Sequence, residues 1–225
     1  MTGSKLSIVI PALNEAPVIE ATLASLAPLR ARGHEVVVAD GGSEDATRAL
    51  AAPLADRIVV AARGRAQQMN AGAAVASGDA LLFLHADTRL PANADQLIFD
   101  AMKKNLWGRF DVVIEGRSTL LPVIASLMNL RSRLSGIATG DQAIFVRREA
   151  FAGFPEIALM EDVAFSKAMK RRSPPACLRA KAVTSGRRWE QRGVLRTMVL
   201  MWRLRLAYFL GAAPDDLARR YANKA

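Results

Sequence analysis

Five short stretches of this 225-residue chain gather acids, a histidine or an arginine beside glycine, proline and small polar residues. They are Pro11-Ala12-Leu13-Asn14-Glu15, Asp40-Gly41-Gly42-Ser43, Gly64-Arg65 on to Asn70, His85-Ala86-Asp87, and Glu161-Asp162. Their chemistries are complementary. Carboxylates accept hydrogen bonds, ligate hard divalent cations and take protons, and a cation just after a glycine at a helix start is well placed to face phosphate. In this order the groups suit a site for a sugar carried on a nucleoside diphosphate. Each also has a plainer use. Asp-Gly-Gly-Ser is an ordinary strand-to-helix turn with Ser43 as cap, residues 11–15 form a turn with an acidic helix start, and Glu161-Asp162 is an acidic first turn that complements a helix dipole. Arg65 and Asn70 could equally be solvated helix residues.

Position separates the two uses. The first, second and fourth stretches each follow an apolar run, residues 6–10, 36–39 and 80–84, that reads as a buried strand. In an open α/β sheet ligands bind beyond the carboxyl ends of the strands, so three polar segments at such ends converge on one crevice. Between them the pattern predicts a helix from near Ala16 to near Gly33, with Pro17 tolerated in its first turn and Ile19, Leu23 and Leu26 on one face. A second helix, capped by Ser43 or Asp45, runs through Leu54. An Ala-rich helix over 65–76 is built for close packing on the sheet and stops at Ser77-Gly78-Asp79. Further on, 120–134 reads as a helix or an ordered cover, 143–146 as a strand, 161–170 as a helix opened by acids, and 176–183 as an edge strand after the Ser173-Pro174-Pro175 break.

Residues 194–210 are apolar but interrupted by Arg196, Arg203 and Arg205, too many charges for a membrane span. Leu195, Val199, Trp202, Leu206 and Phe209 recur at helical spacing, which predicts a helix docked on the domain, lying on a membrane or forming a dimer contact. The chain is 51% hydrophobic, enough for one α/β domain with a large core over residues 1–225: a donor half to about 115 and an acceptor half with C-terminal helices after it. Its single Cys177 favours a reducing compartment, and the start Met1-Thr2-Gly3-Ser4-Lys5 has no signal-peptide pattern, so a cytoplasmic location is expected. The net charge of +10 raises nucleic acid or anionic membrane as partners. The basic residues are scattered and only 2 Tyr are present for stacking, so nucleic-acid binding is not expected. A diphosphate ligand or an acidic lipid surface accounts for the excess as well.

Taken together, "SIVIPALNEAPVIEATLASL", "VVVADGGSEDAT" and "GRAQQMNAGAAVASGDALLFLHADT" resemble, in order, the opening strand and helix, the second strand and the metal-motif stretch of the family 2 glycosyltransferases. Within that family "GDQAIFVRREAF" and "MEDVAFSKAMKR" are most similar to small bacterial transferases associated with radical-SAM and selenoprotein-related clusters, a type assigned to arsenosugar biosynthesis. The resemblance implies a GT-A-like three-layer α/β/α sandwich with a mostly parallel central sheet. It also implies a metal-dependent, inverting, non-processive transfer of one sugar from a nucleoside-diphosphate donor, expected to be uridine-linked, to a hydroxyl acceptor, with manganese or magnesium as cofactor.

The residue roles follow from the same resemblance. Asp87 binds the metal that bridges the donor phosphates; Pro11, Asn14, Glu15, Asp40, Arg65 and His85 form the donor side, with Asp40 the base-binding acid. Asp162 is the general base, with Asp141 a second candidate. Gly140, Asp141, Gln142, Glu161, Arg188 and Trp189 shape the acceptor side. Two departures stand out. His85 occupies the first position of the usual Asp-x-Asp, as a second ligand, a ribose contact or a partner that fixes Asp87. Ser185 replaces the Gln that precedes Arg-Trp in processive members, and Arg188-Trp189 could instead belong to a basic surface loop. Two other classes remain: a sugar-phosphate nucleotidyltransferase, disfavoured because the loop after the first strand is acidic and glycine-free, and a non-catalytic nucleotide-sugar or membrane-surface binding protein. A dinucleotide enzyme is disfavoured because no G-x-G-x-x-G follows that strand.

Overall fold

The computed structural model describes residues 4–222. Met1, Thr2 and Gly3, part of the start that carries no signal-peptide pattern, lie outside the described residues. In chain order the elements are β1 (Leu6–Ala12), α1 (Ala16–Ser25), α2 (Ala27–Ala31), β2 (Glu35–Asp40), α3 (Thr47–Ala51), β3 (Arg57–Val60), α4 (Arg65–Val75), β4 (Ala80–Phe83), β5 (Thr88–Arg89) and α5 (Ala94–Met102). There follow β6 (Trp107–Glu115), α6 (Leu121–Ser135), β7 (Ile144–Arg147), α7 (Glu161–Lys170), β8 (Ala176–Ser185), α8 (Arg187–Arg192), α9 (Val194–Phe209) and α10 (Pro214–Ala222).

One eight-stranded sheet runs in the order β3-β2-β1-β4-β7-β6-β8-β5. β3, β2, β1 and β4 are parallel neighbours, as are β6 and β8. β7 runs antiparallel to both β4 and β6, and β5 antiparallel to β8, so the sheet is mixed. Both faces are covered, which is why its central strands read as continuous apolar runs. Leu6, Ile8 and Ile10 point to one side, against Ile19 and Leu23 of α1, Leu29 of α2 and Ile98 of α5. Val9, Val37, Leu81 and Phe83 point to the other, against Ala66, Met69 and Ala73 of α4 and Phe165 and Met169 of α7. Gly72 shows how closely α4 sits: a Cβ there would lie 2.4 Å from Val9 Cγ1. The result is the expected α/β three-layer sandwich.

Three details depart from the sequence reading. The first helix breaks at Leu26, because Pro28 has no N–H to donate and its ring crowds the carbonyl four residues back; α2 restarts the helix with Pro28 in its first turn. The helix expected through Leu54 ends at Ala51. β8 is not the sheet edge: Thr88 and Arg89 of β5 pair with Thr184 and Val183. α6 is fixed to the sheet by polar ties. The Asn129 side chain donates to and accepts from the Val112 backbone, each at 2.9 Å, and buried Arg109 and Asp111 form an ion pair that Arg133 of α6 joins at 2.6 Å. No described helix is long and apolar enough to cross a membrane.

Candidate active site

β1, β2 and β4 finish side by side, at Ala12, Asp40 and Phe83, and this rim carries the polar segments. A cavity of about 150 Å³ opens there. Pro11 and Glu15 line it from the β1 exit, Arg65 from the first turn of α4, His85 and Asp87 from the β4 exit, and Asp141 from a short 3₁₀ turn before β7. Its far wall is Thr184 and Ser185 of β8, Arg188, Trp189 and Arg192 of α8, Met201 of α9 and Tyr221 of α10. A smaller pocket adjoins it through Pro11, Arg65 and His85, and adds Gly140, Glu161 and Asp162.

The side chains hold one another in register. His85 Nδ1 lies 3.2 Å from Asp141 Oδ1, while its buried Nε2 has no hydrogen-bond partner among the described residues. Gly140 is required beside it, since a Cβ there would come within 2.4 Å of His85 Nε2. The Gly140 N–H donates to Asp162 Oδ2 at 3.0 Å, which ties the 3₁₀ turn to the start of α7. Asp87 Oδ1 accepts the Thr184 and Thr88 hydroxyls only at 3.3 and 3.5 Å, and the residue lines the cavity. Glu15, nearly buried, is engaged by Arg187 at 3.4 Å and by Arg188, so α8 is latched onto the β1 exit.

Charge is dense here. Desolvation alone would pull the Arg65 guanidinium down, but Glu161, Asp141 and Asp162 override it and hold the group above its ordinary value. Desolvation would lift the Asp141 carboxyl; the His85 hydrogen bond and charge, with Arg65 and Arg205, bring it down to about 2. Glu161 goes the other way. Burial first, and then the neighbouring Asp162 charge, raise it well above the usual carboxylate range, with Arg65 only partly opposing.

Other expected site residues line neither cavity. Asp40 is fully buried: Oδ2 accepts the Gly42 and Ser43 N–H groups at 3.1 and 3.0 Å, and Oδ1 has no partner among the described residues. An orphaned buried acceptor at a strand end suits a ring N–H. Asn14, in the left-handed region at φ 53°, accepts the Glu44 N–H at 2.9 Å and so knits the β1 and β2 exits together. Gln142 is fully buried and donates to Asn129 Oδ1 at 3.3 Å, behind the 3₁₀ turn. Asn70 clamps the Phe154 backbone through two hydrogen bonds, at 2.7 and 2.9 Å.

Asp87 could contribute one ligand to a divalent cation. Its donor is a hard oxygen facing a polar cavity, and among the described residues no group of three His, Cys, Asp or Glu side chains is arranged to hold a metal. One carboxylate completed by phosphate oxygens and water is the pattern magnesium accepts. His85 does not present a free imidazole nitrogen on its Nδ1 side, where Asp141 sits.

The sequence did not point to Gln68, Thr184, Arg192, Met201 or Tyr221. Gln68 Nε2 donates to Ala12 O at 2.6 Å and to Ala39 O at 3.1 Å, bracing the ends of β1 and β2. The others come from the C-terminal segments, where no motif marks them. A second, apolar groove of about 540 Å³ meets the polar cavity at Asp141, Trp189 and Met201. It lies between Ile124, Leu127 and Met128 of α6 and Met198, Met201 and Trp202 of α9, with Arg131 and Arg205 also on its walls. Its one sequence signal is a charge on each apolar stripe: Arg131 stands four residues after Leu127, and Arg205 four after Met201.

Residues 7–158 match the glycosyl transferase family 2, and the chain belongs to that family. Curated relatives named PGL/p-HBAD biosynthesis glycosyltransferase, from Mycobacterium bovis and Mycobacterium tuberculosis, are 40% identical over 97 residues, or 40% of this chain. That match spans 38% of the relatives' own length. Among solved structures, glucosyl-3-phosphoglycerate synthase from Mycobacterium tuberculosis, in complex with Mn2+, UDP and glucosyl-3-phosphoglycerate, superposes with a TM-score of 0.60 at 21% identity, over 81% of this chain and 72% of that one. TarS residues 1–349 from S. aureus, with UDP-GlcNAc, gives a TM-score of 0.64 at 19% identity, over 80% and 58%. At these identities the two structures establish the fold.

Proposed function

We propose that this family 2 member transfers a single sugar from a nucleoside-diphosphate donor, uridine-linked, to a hydroxyl acceptor, with inversion at the anomeric carbon. One observation carries the reading: Asp87 and Arg65, from different elements, face a single polar cavity at the strand ends, and Asp162 opens onto the pocket that shares Arg65 with it. The UDP complexes of the two structural neighbours support a uridine donor.

Asp40 Oδ1 accepts a ring N–H of the base, and the backbone at Gly41 lets the base approach. Arg65 and Arg188 face the diphosphate. Asp87 holds magnesium or manganese, which when bound offsets the negative charge that builds on the departing diphosphate. The acceptor oxygen attacks the anomeric carbon as the bond to the diphosphate oxygen breaks, and its proton passes to Asp162. Asp162 suits this role better than Asp141, which is committed to His85. His85 acts by fixing the Asp141 carboxylate. Trp189 borders cavity and groove alike and forms the acceptor wall with Gly140 and Glu161. One domain over the whole chain, a cytoplasmic location and contact of α9 with a membrane surface belong to the same reading; the radical-SAM-associated subgroup rests only on the two segments after residue 138.

Calorimetry of UDP binding with and without manganese, on the native protein and on Asp87→Ala, tests it, followed by a product assay over a panel of UDP-sugars. The native protein should bind UDP more tightly with manganese and Asp87→Ala should lose that gain, with turnover down about 10²- to 10³-fold at unchanged thermal stability. Wild-type manganese-dependent turnover in Asp87→Ala would overturn the assignment.

A further inference from the structure

The groove between α6 and α9 is apolar except where it should not be. Arg131 and Arg205 lie on its walls, on helices far apart in the chain, and both are half-buried. Arg131 Nε and Nη2 and Arg205 Nε are shielded from solvent and donate to nothing among the described residues. Burial, and then the like charge of Arg205, pull the Arg131 guanidinium down to about 10; Asp162 and Asp141 oppose this only through space. The Asp141 carboxylate is taken by His85. Two cations that desolvate and repel each other are costly unless an anion joins them.

What surrounds them is a hydrocarbon channel. Leu127, Leu130 and Leu134 on α6 and Trp202 on α9 are exposed along it, at 46%, 53%, 80% and 57%. Its volume, about 540 Å³, lies within the range of small-molecule sites. Its inner end is the polar cavity, since Asp141, Trp189 and Met201 border both. A molecule seated with its apolar part in the groove therefore presents its polar end to the proposed transfer site.

We propose that the acceptor is a single-chain lipid carrying a phosphate beside its reactive hydroxyl, with the chain in the α6–α9 groove and the phosphate between Arg131 and Arg205. This deepens the transferase reading and rests on it for the word acceptor, but the binding claim stands by itself. Charge complementarity selects this occupant: a neutral lipid or a second copy's apolar helix would leave the shielded Arg131 Nε and Nη2 and Arg205 Nε without an acceptor.

The test is a titration of the full chain, below detergent micelle formation, with dodecyl phosphate, dodecyl maltoside, dodecyltrimethylammonium and inorganic phosphate. Fluorescence of Trp189 and Trp202 and calorimetry read the binding. Dodecyl phosphate should bind at least about tenfold more tightly than either other amphiphile and than inorganic phosphate, as expected for hydrogen bonds to a charged group. Arg131→Gln and Arg205→Gln should each remove most of that preference, while UDP binding, read separately, stays as in the native protein. The head-group comparison on the native chain needs no variant, so a poorly folding mutant does not spoil it. Equal affinity for the phosphate and maltoside heads would overturn the proposal, as would inorganic phosphate binding as tightly as its dodecyl ester, or a stable dimer in which Trp202 is shielded by the second copy. Loss of UDP binding with the dodecyl phosphate preference intact would instead sink the transferase reading and leave the lipid site standing.

Discussion

β1, β2 and β4 face α8 and α9 across the polar cavity, and the two sides are held with unequal strength. Every residue of β1, β2 and β4 except half-buried Pro11 is buried. Of the sixteen residues of α9 only Leu204 is buried, and none of α8 is. One side is interlocked through a parallel ladder and the close fit of α4; the other rests on a small cluster of Met160, Val163, Leu204 and Leu217, on half-buried Trp189, Val194 and Met198 packed against α6 and β6, and on the pairing of Glu15 with Arg187 and Arg188. Rigid groups suit charge that has to be pre-positioned, and a loosely docked wall suits a partner that has to enter and leave.

The sharpest way to break this contrast is through Asp162. Asp162→Asn keeps an oxygen for the Gly140 N–H, so UDP binding and thermal stability should persist while kcat falls about 10²- to 10⁴-fold. Undiminished single-turnover transfer would remove it as the base. Gly72→Val strikes the rigid side: a Cβ there would lie 2.4 Å from Val9 Cγ1, so the substitution should cost about 3 kcal/mol in urea unfolding. An unchanged midpoint would mean that α4 is not tightly seated.

Glu161→Gln has a smaller effect and a defined sign. The folded-state pKa is raised, so the buried carboxylate destabilises the protein fully above that raised value and not at all below the ordinary carboxylate pKa. The variant should therefore be more stable than the native chain near pH 8 and equal to it near pH 4, as read by calorimetry at both. The smallest global effect belongs to the loose side. Leu204→Ala should shift the overall unfolding midpoint by less than about 1 kcal/mol, because α9 detaches locally, yet speed limited proteolysis within α9. A loss of about 3 kcal/mol, the usual range for a core leucine, would show that α9 folds as one unit with the sheet.

The same contrast explains what the sequence revealed. Residues 6–10, 36–39 and 80–84 are legible as strands because both sheet faces are covered, and Arg65 and Asp87 could be placed because they follow those strands or open the next helix directly. The acids at Glu161 and Asp162 open α7 as expected. The apolar groove was not legible: its walls come from α6 and α9, some seventy residues apart in the chain, and helical spacing gives each a stripe without saying that the stripes face each other. Asp40 was legible as a strand-end acid but not as a fully buried one, because Gln68 bracing Ala12 and Ala39 depends on how α4 seats.

The latch between Glu15 and Arg187 and Arg188 has a consequence for salt dependence. It consists of two ion pairs whose arginines are partly exposed, so added salt should weaken the hold of α8 on the β1 exit while leaving the buried strand ladder beneath it untouched.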